Sequence, residues 1–161
     1  MIYFNCDYLE GGHPKILEKM LSTNMEQLTG YSTDHYCDSA RERIRACPYA
    51  DVHFLVGGTQ TNLTAIASIL RPYQGVLAAH DGHIACHETG AIEATGHKVL
   101  PIPCVDGKIT ADQVREFCHS HQTNTMREHM VQPGMVYISF PTEIGSLYTK
   151  KELKELSAAC H

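Results

Sequence analysis

The segment Asp51-Val-His-Phe-Leu-Val-Gly-Gly-Thr-Gln-Thr-Asn62 joins the pattern of a β-strand to that of a helix. Residues 51–56 are rich in β-branched and aromatic side chains, which favours a strand, and Gly57-Gly58 then breaks the run. From Asn62 to Leu70, apolar residues recur every three or four positions, as on one face of a helix. We therefore predict a strand over 51–56 followed by a helix over 62–70.

The same alternation continues downstream of this segment. Further strands are predicted at 75–79, 98–102 and 134–140, the last of them buried, and Pro101 indicates that the second lies near a sheet edge or strand end. A helix is predicted over 84–95, ending at Gly96. Two more are predicted to begin at the capping box Thr110–Gln113 and at Thr149. Such alternation predicts an α/β fold of three layers, with a mainly parallel sheet and helices on both faces.

The first 47 residues have a different character. They hold an irregular leader, a predicted helix beginning near Pro14, which is a favoured first helical residue, and a second predicted helix over 38–45. We therefore divide the chain into an N-terminal helical segment, 1–47, and an α/β domain, 48–161.

Composition narrows the class of protein. The chain has 161 residues, 43% of them apolar and 19% charged, and a net charge of −5 that is spread along the sequence. A nucleic-acid surface would need a basic stripe, and a membrane span would need about 20 apolar residues. The start of the chain lacks the basic and apolar regions of a signal peptide, and the seven cysteines form no CxxC pair. We predict a cytoplasmic protein with reduced thiols that binds neither nucleic acid nor membrane.

The glycine-threonine stretch Gly57–Asn62 has two interpretations. Glycines before a helix let backbone N–H groups approach an anion, the helix N-terminus adds partial positive charge, and Thr59 and Thr61 offer hydroxyl donors. The stretch matches neither a Walker A loop nor a dinucleotide-binding fingerprint. A phosphate site and a tight turn with an ordinary cap are both consistent with this spacing.

The eleven histidines raise the possibility of a metal site. The densest group is His80, His83 and His87, of which the last two would share a helix face. No HExxH motif is present and no third ligand is evident, so we assign no metal site and keep a metal-dependent hydrolase as an alternative.

Several segments together resemble one family. In order along the chain they are Phe4–Asp7, Gly30-Tyr31, Gly57–Asn62, His83, Glu88–Glu93 and Pro141–Gly145. This series is similar to the threonine aldolase and β-eliminating lyase family, whose enzymes depend on pyridoxal 5′-phosphate (PLP). The resemblance implies the large-domain fold of aspartate aminotransferase and a homo-oligomer, dimer or tetramer. It also implies cleavage of a β-hydroxy amino acid such as threonine to glycine and an aldehyde.

The resemblance implies a cofactor site. Gly57, Gly58 and Thr59 would hold the cofactor phosphate, and His83 would stack on its pyridine ring and so belong to the catalytic residues. Without the family context, His83 would be interpreted as a hydrogen-bonded structural histidine.

Two further residues acquire implied roles toward the substrate. Cys6 falls where the family often has a serine near the substrate, although a thiol is a weaker hydrogen-bond partner than a hydroxyl. Glu143 falls where well-known members have a histidine, and a carboxylate there could accept the proton of a β-hydroxyl group. The alternative for Glu143 is a solvated loop residue.

The resemblance also implies that parts of the family's site lie outside this sequence. None of the lysines matches the setting of the lysine that binds the cofactor covalently; they are Lys15, Lys19, Lys98, Lys108, Lys150, Lys151 and Lys154. We therefore expect residues 48–161 to be the first part of the PLP-binding domain, and the chain to be inactive alone. Two alternatives stay open: a β-eliminating amino-acid lyase, and a non-catalytic phosphate- or nucleotide-binding module.

Overall fold

The computed structural model describes residues 3, 6, 9–45 and 47–161. The chain divides into two compact units, Met1–Phe54 and Leu55–His161. The domain division at residues 47 and 48 stays a prediction. Among the described residues, none of the helices combines the length and the apolar character that crossing a bilayer requires.

The first unit contains helices α1 (Pro14–Thr23) and α2 (His35–Ile44). Pro14 lies in the first turn of α1, as predicted. Helix α2 begins three residues before the predicted start because Asp34 caps it, accepting hydrogen bonds from the amides of Tyr36 and Cys37, each at 3.0 Å.

The second unit is an α/β structure in which the described strands form one parallel sheet. Its elements, in chain order, are α3 (Gly58–Ile69), β1 (Gln74–Ala79), α4 (His83–Cys86), β2 (Lys98–Ile102), α5 (Ala111–Thr123), β3 (Gln132–Val136) and α6 (Lys150–Cys160). The strand order is β2-β1-β3, with both pairings parallel. The mainly parallel sheet is confirmed. So is the edge position of the strand that contains Pro101.

The central strand β1 separates two apolar cores. Successive side chains of a strand point to opposite faces of the sheet. Val76 and Ala78 accordingly belong to one core, with side chains of α3 and α4, while Leu77 and Ala79 belong to the other, with side chains of α5 and α6. The predicted helices on both faces of the sheet are therefore confirmed.

Two of the predicted strands need correction. The segment 51–56 is irregular rather than a strand, and it pairs with none of the three strands of the sheet. None of its apolar side chains is fully buried: Phe54 is 39% exposed and Val56 is 96% exposed. The run 134–140 was predicted as a buried strand, but β3 ends at Val136 and is only partly buried, because it lies at an edge and pairs with β1 alone.

The helix predicted over 84–95 is wrong as a continuous element. Helix α4 ends at Cys86, and the chain turns at Thr89 (φ 52°) and Gly90 (φ 73°), both in the left-handed region that a right-handed helix excludes. A short 3₁₀ turn, Glu93–Thr95, follows. Gly96 ends this turn with φ of 90°, so the predicted stop is confirmed.

Candidate functional site

The glycine-threonine stretch forms the start of helix α3. Gly57 is the N-cap in an extended conformation, Gly58 is the first helical residue, and the cap makes no side-chain hydrogen bond. The first amides of a helix have no intrahelical acceptor and carry partial positive charge. A Cβ atom built on Gly57 or Gly58 would meet no atom within 4 Å among the described residues, so an anion can approach these amides closely.

The two threonines of this turn differ in what they can offer a ligand. Thr59 is exposed. The Thr61 hydroxyl donates to the Gly57 carbonyl at 2.9 Å, so it is committed to the helix, contrary to its predicted role as a free donor. Gln60 also stabilises the turn, because its Oε1 accepts from the Val56 amide at 2.9 Å.

A buried carboxylate ties this helix to the predicted ring-stacking histidine. Glu88 Oε1 lies 2.8 Å from His83 Nδ1 and accepts from Asn62 Nδ2 at 2.6 Å. Asn62 lies in α3, just beyond the glycine turn, and His83 begins α4, just beyond β1. One carboxylate oxygen therefore joins the helix with the anion-binding geometry to the connection that follows the central strand.

The environment of Glu88 fixes the orientation of His83. The Glu88 side chain is fully buried, whereas that of His83 is 42% exposed. Because a carboxylate can only accept, the Nδ1–H of the imidazole donates, and its Nε2 is left for other partners. His83 is therefore hydrogen-bonded, as the structural interpretation of this residue predicted. Its side chain is nevertheless exposed enough for a ligand to contact the ring.

Two more polar groups lie close to this junction. Tyr137 Oη is 3.5 Å from Asn62 Nδ2, at the limit of a hydrogen bond. The other oxygen of Glu88, Oε2, is buried and has no hydrogen-bond partner among the described residues. A buried polar atom without a partner is rare in folded proteins and often marks a functional position.

Glu143, the predicted base, lies in the exposed loop that follows β3. Its Oε1 accepts from Ser139 Oγ at 2.8 Å. Glu143 and Gly82, which directly precedes His83, line the same small depression, so the connections after β3 and β1 meet there. The geometry is compatible with a base and with a solvated carboxylate, and the catalytic role stays a prediction.

Cys6, the predicted substrate contact, is a half-buried free thiol of the first unit. The site described above is built from the second unit alone. The role of Cys6 toward the substrate therefore stays a prediction.

The histidine-rich segment does not form the three-histidine metal site of the hydrolase alternative. His83 and His87 have ring centroids 5.6 Å apart, but Nδ1 of His83 is engaged by Glu88. The structure instead groups His80 with Asp81 and Cys104, and the three ligand atoms lie within 4.8 Å of one another.

A cavity of about 450 Å³ lies far from this chemistry. Its lining residues include Tyr73 and Gln132, which are at the amino ends of β1 and β3, together with Arg127. Ligands of open parallel sheets bind outside the carboxyl ends of the strands. We therefore assign this cavity no role in the site described above.

Sequence reasoning missed the part that Asn62 and Glu88 play. Both residues belong to the segments that carry the family resemblance, but neither was given a role. The available signal was Glu88, an acidic residue within the predicted helix 84–95. If such a carboxylate is buried, it needs polar partners, and these could have been sought among nearby segments.

Comparison with known proteins gives a consistent result. The family model for beta-eliminating lyases matches residues 4–161. A low-specificity L-threonine aldolase of a Pseudomonas species is 30% identical, and one of Pseudomonas aeruginosa is 29% identical; each alignment covers 98% of this chain and 45% of the relative. A solved structure of the threonine aldolase of Leishmania major superimposes with a TM-score of 0.88 at 49% identity, covering 95% of this chain and 44% of that one.

The chain thus spans less than half the length of the relatives it matches. Nearly all of its residues align with the family model, and its parallel sheet with helices on both faces has the fold of a threonine aldolase structure. The chain belongs to the beta-eliminating lyase family.

Proposed function

We propose that the full-length protein is a PLP-dependent lyase that cleaves a β-hydroxy amino acid such as threonine to glycine and an aldehyde. The observation that carries this proposal is the junction of Asn62, Glu88 and His83. It connects an open helix N-terminus suited to a phosphate with a half-exposed imidazole suited to a flat ring. Membership of the lyase family and similarity to threonine aldolases support the reaction class.

The residues present fit the cofactor. The amides that follow Gly57 are free of side-chain caps, and the space beside Gly57 and Gly58 is open, which suits a phosphate group; Thr59 adds an exposed hydroxyl. His83 is held at one ring nitrogen only, so its ring can lie against the pyridine ring. When bound, PLP supplies an electron sink for the pair released as the Cα–Cβ bond breaks.

The protein's own part in this reaction is binding, orientation and proton transfer. Glu88 accepts the Nδ1–H of His83 and so keeps the imidazole in one orientation. Glu143 accepts the proton of the substrate's β-hydroxyl group, a role that its exposure and its position beside the same depression as Gly82 permit. Cys6 contacts the substrate. The proposal includes a cytoplasmic homo-oligomer, dimer or tetramer, and a domain boundary at 47/48, as the resemblance and the composition imply.

The test uses the full-length protein and measures cofactor binding separately from turnover. PLP titration followed by visible absorbance gives affinity, and release of glycine and acetaldehyde from threonine gives activity. We expect His83→Ala to weaken PLP binding by about tenfold, because it removes a ring stacked on the cofactor. The matched control is His87→Ala, which removes an exposed neighbouring imidazole and should leave PLP affinity within about twofold of the wild type.

Two results would contradict the proposal. One is a full-length protein that binds no PLP. The other is equal loss of affinity in the His83 and His87 variants, which would indicate that the ring contact is not specific. The family's name favours β-elimination as a second candidate. Release of pyruvate from serine, without release of glycine from threonine, would assign that reaction instead.

A further inference from the structure

Three residues with metal-binding side chains meet at the carboxyl ends of two adjacent strands. His80 and Asp81 follow β1, and Cys104 lies two residues beyond the end of β2. Because β1 and β2 are parallel neighbours, the connections that follow them begin at the same sheet edge. The pairing of β1 with β2 brings Asp81 and Cys104 together although they are 23 positions apart in the sequence. A motif of closely spaced ligands could therefore not have predicted this cluster.

The three ligand atoms lie close enough together to share one ion, and the Cys104 thiol donates a hydrogen bond to Asp81 in its absence. Cys104 Sγ lies 3.4 Å from His80 Nδ1 and 3.0 Å from Asp81 Oδ1, and all three ligand atoms fall within 4.8 Å of one another. Ordinary zinc–ligand bond lengths and tetrahedral angles place neighbouring ligand atoms about 3.5 Å apart. Little side-chain movement is therefore needed to surround a cation.

We propose that His80, Asp81 and Cys104 form a binding site for a divalent cation of the zinc class. Imidazole nitrogen, carboxylate oxygen and thiolate sulfur are the ligand types that Zn²⁺ takes in proteins. Three protein ligands leave one tetrahedral position for solvent. His80 and Cys104 also line a shallow surface depression of about 380 Å³ from which a water molecule can reach that position.

The backbone holds the ligands in place without the ion. The His80 amide donates to the Ile102 carbonyl at 2.9 Å, which continues the β1–β2 pairing into the site. The His80 carbonyl accepts from Cys86 Sγ at 3.0 Å. A site whose backbone is fixed by neighbouring strands loses less conformational entropy on binding than a site built on a free loop.

Binding would join two connections of the sheet. The thiol proton of Cys104 leaves to solvent as the metal–sulfur bond forms. The ion then links the segment after β1, which continues into His83, to the segment after β2. This inference does not rest on the proposed reaction, because none of the three ligands has been given a role in it.

The test is metal binding to the full-length protein in the absence of PLP. Equilibrium dialysis against Zn²⁺ alone should give one bound ion at this site. Co²⁺ in its place should show absorption from thiolate-to-metal charge transfer. Cys104→Ser should abolish that absorption and weaken Zn²⁺ binding by at least about tenfold, and Asp81→Asn should weaken Zn²⁺ binding by a similar factor. Cys160→Ser is the matched control, since it removes an exposed thiol of the same unit, and it should bind as the wild type does.

Two outcomes would overturn the site. One is charge-transfer absorption that persists unchanged in Cys104→Ser. The other is the absence of stoichiometric Zn²⁺ from the wild type. If circular dichroism shows that a variant fails to fold, two measurements on the wild-type protein test the proposal instead. A chelator should then abolish the Co²⁺ absorption, and a competing thiol reagent should modify Cys104 more slowly with Zn²⁺ than without it; equal rates would reject the proposal.

Discussion

Glu88 serves two partners with a single atom. Its Oε1 accepts from both His83 and Asn62, while its side chain is fully buried. Burying a carboxylate is costly unless polar partners compensate for the lost water, and hydrogen bonds to a charged acceptor are the strong ones. At the scale of single residues, Glu88 is therefore the group on which the geometry of the proposed cofactor site depends.

We expect Glu88→Ala to lower the free energy of unfolding by about 1–3 kcal/mol, because it leaves the Asn62 amide and the His83 Nδ1–H without their acceptor. Urea unfolding of the full-length protein measures this change. The control is Glu128→Ala, at a glutamate whose side chain is 80% exposed, where the change should stay within about 0.5 kcal/mol. Equal losses in the two variants would contradict the role assigned to Glu88.

Site residues could be predicted where the sequence around them is informative, and could not where their contacts are with residues far away in the sequence. The spacing of Gly57 and Gly58 left a phosphate site and an ordinary turn both open, and the family resemblance implied the phosphate role; the structure places both glycines at an open helix start. Asn62 and Glu88 are 26 residues apart. Their hydrogen bond depends on how α3 packs beside β1, and no sequence spacing encodes that packing.

At the scale of elements, the first turn of helix α6 is stabilised both by a capping box within the helix and by an ion pair with a residue far away in the sequence. Thr149 and Glu152 form its capping box, with Glu152 Oε2 accepting from the Thr149 amide at 2.6 Å. Glu152 Oε1 also accepts from Lys108 Nζ at 2.7 Å. The hydrogen bond from Lys108, followed by that from the Thr149 backbone, lowers the pKa of Glu152 from an ordinary 4.5 to about 2.

A pH dependence of stability follows from this pKa. A carboxyl group whose folded-state pKa lies below its unfolded-state value stabilises the fold above that unfolded value, and the contribution disappears as the pH falls from about 4.5 through about 2. Glu152→Gln should therefore lower the urea midpoint at pH 7 and flatten its fall between these pH values. The exposed Glu116→Gln variant is the control and should keep the wild-type slope; identical profiles for the two variants would refute the assignment.

The predicted elements succeeded where their boundaries are set locally. The capping box at Thr110 predicted the start of α5 correctly, and the predicted start of α6 at Thr149 is also confirmed. The structure shows a second capping box there, and each box is complete within four residues. The helix over 84–95 failed because Glu88 turns inward to Asn62 and the chain then reverses at Thr89 and Gly90. A strand over 51–56 failed because a strand also needs a neighbour to pair with, which its own residues cannot reveal.

At the scale of the whole second unit, stability rests on two cores with one strand between them. Ile66 of α3 is buried in the core on one face, and Leu156 of α6 in the core on the other. The sheet, with β1 at its centre, lies between these two side chains. Because neither touches the core of the other, their contributions to stability should be nearly independent.

We expect Ile66→Ala and Leu156→Ala each to cost about 2–5 kcal/mol, and the double variant to cost their sum within about 0.5 kcal/mol. Urea unfolding of the two single variants and the double variant measures the coupling. The control pair is Val114→Ala with Leu156→Ala, which share one core and should deviate from additivity by more than about 0.5 kcal/mol. Coupling of equal size in both pairs would show that the two cores behave as one.

The central position of β1 has a consequence for motion. Both edges of this strand are paired and Val76, Leu77, Ala78 and Ala79 are all buried, so its amide protons can exchange with solvent only when the unit opens as a whole. The β1–α4 connection is attached directly to this buried, doubly paired segment. We therefore expect His83 to extend from the part of the unit that opens least often.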